Sequence, residues 1–215
     1  MRPHYRTAES MLGTATFPTT TATDRVIKEV AEELGVGDTF HSPPLGVSFG
    51  PPGRDPYFGG AGPNRHPCLN CAGCMTGCRH NAKNTLAKNY LWLAERLGVD
   101  IHPEQTVTAV RPHPDNGYII ETVRSGRWIR RQPRTLHAAQ VVLAAGALGT
   151  QNILHRLRAD RALDNLSPVL GTLTRTNPET NVGAYTARRD SSVTNTVAIS
   201  SCFQADRHTH IQPVR

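Results

Sequence analysis

Four of the chain's five cysteines, Cys68, Cys71, Cys74 and Cys78, fall in the short run "CLNCAGCMTGC" at the spacing C-x2-C-x2-C-x3-C. Thiolates so arranged suit an iron–sulfur cluster, because the spacing is that of a bacterial ferredoxin motif. In that motif the fourth cysteine serves a second cluster and is followed by Pro. Here Arg79 follows Cys78 and no second run exists, so Cys68, Cys71 and Cys74 would share one cluster with Cys78 or with Cys202. Tetrahedral zinc is the other metal option, although zinc sites usually pair two separated C-x2-C knuckles. A tight, glycine-containing loop lined with thiols needs no metal at all. The residues leave these readings open. Closely spaced cysteines without a secretion signal do favour thiols or a metal over a disulfide framework, and the lone Cys202 reads as a small buried apolar residue.

The second stretch able to do chemistry is "QVVLAAGALGTQNILHRL", residues 140–157. An apolar run over 141–144, then Ala145-Gly146 and a Gly-Thr pair opening an amphipathic helix, predicts a buried parallel strand that delivers a tight turn to a helix start. Small residues there let a backbone approach a ligand closely, and helix-start amides favour an anion such as a pyrophosphate. Many strand–turn–helix joints carry no ligand, so the pattern alone permits a plain tight turn at Gly146 equally well.

Other elements must position these stretches. "TATDRVIKEVAEELGVG" predicts a surface helix packed on one face, with Val26, Ile27, Val30, Ala31 and Leu34 in one stripe, Asp24 at its positive end and Gly35 as a left-handed cap. Residues 41–67 are rich in Gly and Pro and predict a long loop of the kind that covers substrates. After the cysteines, Leu86, Tyr90, Leu93, Ala94 and Leu97 recur at helical spacing and Gly98 ends the run. "VDIHP" and "TVTAV" read as short strands, and "GYIIETV" with "RWIRR" as a hairpin around "RSG", which together make a small β-meander.

The whole chain bounds these readings. Its 215 residues, 38% of them hydrophobic, suffice for one domain, or for one and a half in a piece of something larger. Both ends read as cut: polar sequence without a core strand follows Met1, and "HTHIQPVR" reads as a strand stopped in mid-course. The net charge of +7 concentrates in residues 124–134 and 155–161. No aromatic interleaving or helix-turn-helix pattern accompanies it, so a solvated hairpin tip is expected and nucleic-acid binding is not. No run approaches the ~20 apolar residues that span a bilayer, and the start has no apolar signal core, so a cytoplasmic protein without a transmembrane segment is expected.

Taken in order, "DPYFGGAGP", "CLNCAGCMTGCRHNAKNTLAKNYLWLAERLGVDIHP", "TVTAVRP", "VVLAAGALGTQNIL" and "LDNLSPVLGTLTRTNPE" resemble the glucose–methanol–choline oxidoreductases, in their cholesterol oxidase-type branch. The resemblance runs from about Ala8 to Arg215. It implies a flavoprotein in which FAD takes hydride from a substrate alcohol carbon, a sterol 3β-hydroxyl in this branch. The implied fold is mixed α/β: a partial FAD-binding Rossmann-like domain, a small β-meander and the start of a substrate-binding antiparallel sheet. It divides the chain into a substrate-region helix and Gly/Pro/Cys-rich loop (1–80), a partial FAD-binding part with inserted meander (81–165) and the first strands of a substrate-binding sheet (166–215). Val107 matches a family strand whose valine backbone meets the FAD adenine, and Ala145 and Gly146 match a second flavin-domain turn. Without the resemblance, Val107 would be a plain strand core residue. The cysteine run is not a recognised cluster site in such enzymes, so the resemblance implies no metal ligands and a thiol-lined loop ahead of a flavin-domain helix opening at Asn84.

Departures from the family are as informative. No G-x-G-x-x-G, the turn that accepts the FAD pyrophosphate, occurs in the sequence. The family's catalytic His and its Asn or His partner belong to a stretch not contained in these residues, so no catalytic residue is assigned. The place where cholesterol oxidases set a cavity carboxylate for isomerisation falls at Gln212, and an amide cannot act as a general base. His208 and His210 read as satisfied strand residues. The expectation is therefore part of an FAD-dependent oxidoreductase for a sterol-like secondary alcohol, inactive alone, or with its flavin site completed by a separate chain. The rival is an electron-transfer or regulatory module in which residues 68–78 hold iron–sulfur or zinc.

Overall fold

The computed structural model describes residues 1–53, 55, 60–183 and 195–214. The chain is mixed α/β, with four α-helices and small antiparallel sheets among the described residues. It forms two compact units, one of residues 1–100 and 185–215, the other of residues 101–184.

In the first unit α1 (Arg2–Leu12) ends at Gly13, whose φ of 57° returns amides to the last carbonyls. This helix occupies the polar start in which the sequence shows no core strand. A short pair, β1 (Ala15–Thr16) with β2 (Pro44–Leu45), follows. α2 (Ala22–Glu33) forms where the sequence predicts it, opened by a capping box. Asp24 N–H donates to Thr21 Oγ1 at 3.2 Å, and Thr21 N–H donates to Asp24 Oδ2 at 2.7 Å. Only part of the expected apolar stripe is covered, Ala31 fully and Ile27 by half. Asp24 and Ala31 are buried, whereas Val26, Val30 and Leu34 are exposed. The Asp24 carboxylate also accepts bonds from Ser200 Oγ and, at 2.7 Å, Ser201 Oγ, so a polar contact fixes the helix end.

The loop reading of residues 41–67 holds over its described part, apart from β2 and isolated bridges at His41 and Val47. The core of this unit is Phe17, Val47, Ala82 and Val197, with Leu45, Phe49, Cys68, Cys74 and Cys78 packed against it. The helix after the cysteines is shorter than expected. A 3-10 turn spans Leu86–Lys88, and α3 (Tyr90–Arg96) opens at Asn89 rather than at Asn84. The reason is polar. Asn89 is fully buried and its Oδ1 caps Tyr90 N–H, while Asn84 turns away so that its Nδ2 donates to Leu12 O at 2.7 Å, satisfying a carbonyl at the end of α1. Strands β6 (Phe203–Gln204) and β7 (His210–Ile211) form a short antiparallel pair.

The second unit is a three-stranded meander plus a helix, with two of the four expected strands in place. Strands β3 (Gln105–Pro112), β4 (Tyr118–Arg124) and β5 (Arg134–Ala138) run antiparallel in that order. "RWIRR" is not the third strand: Arg130 and Gln132 take positive φ, and the register pairs Tyr118 with Ala138 through Thr122 with Arg134. Non-local register outweighs local β-propensity here. The intervening segment is an exposed tip, with Trp128 92% and Ile129 82% accessible. "VDIHP" likewise forms no strand.

α4 (Gly146–Ala159) follows, with Leu157 buried. Residues 141–144 before it are not the buried parallel strand the sequence predicts. They lie outside every sheet and Val142 is 87% exposed. A parallel strand needs neighbours to satisfy its amides and cover its faces, and every named strand pair among the described residues is antiparallel.

Candidate functional site

Two regions carry the residues singled out by sequence. In the first unit Cys68, Cys71, Cys74 and Cys78 line one small common cavity floored by Val47 and Ala82. The loop is anchored from several sides. Cys68 N–H donates to Ser48 O, Ala72 N–H to Thr196 O and Ser48 N–H to Ala82 O, each at 2.9 Å. Lys83 Nζ reaches across the loop to Cys74 O at 3.0 Å. Left-handed backbone at Asn70, Ala72, Gly77 and Asn81 folds the run back on itself.

The thiols are not equivalent. Burial pushes Cys68 up, against the N–H of Asn70 that donates to its Sγ at 3.4 Å. Burial also acts on Cys78, but the amides of Lys83, Ala82 and His80 and the Lys88 ammonium outweigh it and hold that thiol below its ordinary value. The Ala82 and Lys83 amides each lie 3.4 Å from Cys78 Sγ. All five cysteines are free thiols. Among the described residues no three His, Cys, Asp or Glu side chains are gathered so as to hold a metal ion.

In the second unit the structure places Val107, Ala145 and Gly146. Val107 is half-buried on β3, an edge strand, opposite Thr122 and beside a register break before Ala109. Ala145 is the N-cap of α4, and no side chain caps that helix start. Ala145 N–H instead donates to Thr150 Oγ1 at 3.1 Å. Gly146 has φ +71°, and a Cβ built there would meet nothing within 4 Å. Open space around a left-handed glycine, beside first-turn amides with no side-chain cap, fits the close approach of a phosphate-bearing group.

Of the C-terminal candidates, Gln212 is exposed in coil. His208 Nε2 accepts from Arg207 Nε at 2.6 Å, and His210 lies exposed on β7. Cys202 is fully buried, as its isolation suggested, and burial raises its pKa. Its Sγ lies 3.2 Å from His41 Nε2, whose Nδ1 is 2.9 Å from Thr39 O. Sequence reading missed this pair, which is 161 positions apart, and no local signal could have joined it. It also missed Lys83, whose only trace is the polar stretch directly behind the cysteines.

No protein-family model matches the chain. Proteins named cholesterol oxidase from two strains of Mycobacterium tuberculosis, CDC 1551 / Oshkosh and ATCC 25618 / H37Rv, are each 51% identical to it over 225 aligned residues. One from Acinetobacter baumannii is 40% identical over 227. These alignments take in 100% of this chain. Over its whole length the chain is similar to cholesterol oxidases. It spans 39% of the Mycobacterium proteins and 41% of the Acinetobacter one. No helix among the described residues is long and apolar enough to cross a membrane.

Proposed function

We propose that this chain forms part of an FAD-dependent oxidoreductase that converts a sterol-like secondary alcohol, a 3β-hydroxysteroid, into the 3-ketosteroid. The observation that carries the reading is the whole-chain identity of 51% and 40% to proteins named cholesterol oxidase. FAD would supply the acceptor for the hydride leaving the alcohol carbon. The chain's own contribution would be to bind and orient that cofactor. The backbone of Val107 on β3 would meet the adenine, and the turn at Ala145 and Gly146 would stand near the dinucleotide. The open space into which a Cβ at Gly146 would point supports that assignment. On this reading residues 1–80 belong to the substrate region, 81–165 to the flavin part and 166–215 to the substrate-binding sheet.

The pyrophosphate turn and the catalytic His would come from outside these 215 residues, in the same polypeptide or a separate one. The chain by itself is then expected to hold FAD weakly and not to turn over. A chimaera tests this: the chain replaces its aligned region in the Mycobacterium protein, and flavin retention and anaerobic bleaching by a 3β-hydroxysteroid are measured. A yellow protein bleached by the sterol is expected. A folded chimaera that purifies colourless, or one that keeps flavin but never bleaches, would remove the proposal.

A further inference from the structure

The cysteine run is not used by the flavoenzyme reading, and the cavity it lines has features that a loop of packing thiols does not need. Two metal geometries are separated first. Tetrahedral zinc with Zn–S near 2.3 Å requires its sulfurs about 3.8 Å apart. No three thiols in the described residues are drawn together to grip a single ion. The four residues line one common cavity, and their C-x2-C-x2-C-x3-C spacing is that of a cluster run rather than of paired zinc knuckles.

The surroundings specify its charge. Three backbone amides point at sulfur: Asn70 at Cys68, and Ala82 and Lys83 at Cys78, each at 3.4 Å. Peptide N–H groups directed at sulfur stabilise electron-rich sulfur and tune cluster potential. Cations gather on the same side. Lys83 is tied to Cys74 O, Lys88 Nζ donates to Lys83 O at 3.0 Å, and the buried Arg65 donates from Nη1 to the same carbonyl at 3.3 Å. The apolar floor at Val47 and Ala82 is part of the core and limits water on one face. A four-iron, four-sulfide core held by four thiolates carries net negative charge, and such a cradle of amides, cations and apolar cover matches it.

We propose that Cys68, Cys71, Cys74 and Cys78 are the four thiolate ligands of a [4Fe–4S] cluster. This answers which cysteine would be the fourth ligand. Cys78 faces the cavity of the other three, whereas Cys202 is fully buried against His41. The proposal is independent of the flavin assignment.

The test uses the full chain, purified without oxygen, reconstituted with ferric iron and sulfide under a dithiol, then desalted. The dithiol supplies the two electrons that bring four ferric ions to the two-ferric, two-ferrous state of the core. About four iron and four acid-labile sulfide per chain are expected, with a broad visible absorption band that fades on reduction. The four run cysteines should resist alkylation in the reconstituted protein and become reactive after chelation. Cys71→Ser and Cys78→Ser should each lose at least half of the bound iron, with far-UV circular dichroism and elution volume matching the parent chain. Cys202→Ser should keep the full complement. If Cys202→Ser unfolds, alkylation mapping of the reconstituted parent chain decides the ligand set alone. The proposal falls if the reconstituted chain holds no iron or purifies with stoichiometric zinc. It falls equally if iron is retained after Cys68, Cys71, Cys74 and Cys78 are all replaced by Ser.

Discussion

The cysteine loop and the turn at Ala145-Gly146 look alike in the sequence: each is a small-residue bend ahead of a helix, and each could face a ligand. They differ in how they are held. Residues 68–78 are tied to Ser48 and Thr196 by backbone hydrogen bonds and packed on a core of Phe17, Val47, Ala82 and Val197. At the second bend, Ala145 N–H is satisfied five positions along its own helix, and the residues before it join no sheet. A binding loop is specified only as far as the chain supplies its supports. The first loop has its supports within these residues, and the second would gain them from a parallel sheet.

Removing a support from the first unit should give the largest effect. Asp24 is buried and gathers Thr21, Ser200 and Ser201 around one carboxylate. Asp24→Ala would leave two buried hydroxyls without that acceptor and remove a charged N-terminal contact. A loss of roughly 3 kcal/mol is expected, seen as faster hydrogen exchange in residues 1–100 with residues 101–184 unchanged. Equal loss of protection in both units would show that they do not unfold separately.

Leu157 offers the matching break in the second unit. It is the buried residue of α4, and Leu157→Ala should cost about 2–3 kcal/mol through lost burial and an unfilled cavity. Exchange should rise across the meander and α4 and stay unchanged at the cysteine loop.

Acid should separate the two units more gently. The Asp24 carboxyl is held below its ordinary value of 3.8: burial pushes it up, but bonds from Ser200, Thr21 and Ser201 pull it down further. A carboxylate depressed in the folded state gives stability that is fully present above its unfolded value and fades as pH falls through the folded one. Thermal unfolding followed below pH 4 should therefore show the first unit weakening, and Asp24→Asn should flatten that slope. A slope unchanged in Asp24→Asn would assign acid sensitivity to another group.

What could be read from the sequence follows the same division. α2 is legible because its apolar spacing, Asp24 in its first turn and Gly35 just past its end are all local signals, and β3 and β4 because runs rich in β-branched residues bracket a turn. The face α2 buries was not legible: Asp24 is met by Ser200 and Ser201, more than 170 positions away. The start of α3 was misplaced because Asn84 is spent on the end of α1 and Asn89 takes the cap, a choice made by tertiary contacts. For the candidate sites, spacing identified the cysteines, but their common cavity and the amides aimed at Cys68 and Cys78 needed three dimensions.

The smallest effect is expected at the second bend, and it sharpens the contrast most. Gly146 has φ +71°, where a side chain is strained although space is open, so Gly146→Ala should cost about 1 kcal/mol. Val142 is 87% exposed, and Val142→Thr should change stability by less than about 0.5 kcal/mol in this chain. Placed in the chimaera, the same Val142→Thr change should become destabilising by about 1–2 kcal/mol, because a strand flanked on both sides would bury that side chain. Denaturant midpoints of the two pairs measure the difference directly. An equally silent Val142→Thr in both contexts would show that residues 141–144 are surface coil, and would remove the physical ground for placing the flavin turn at Gly146.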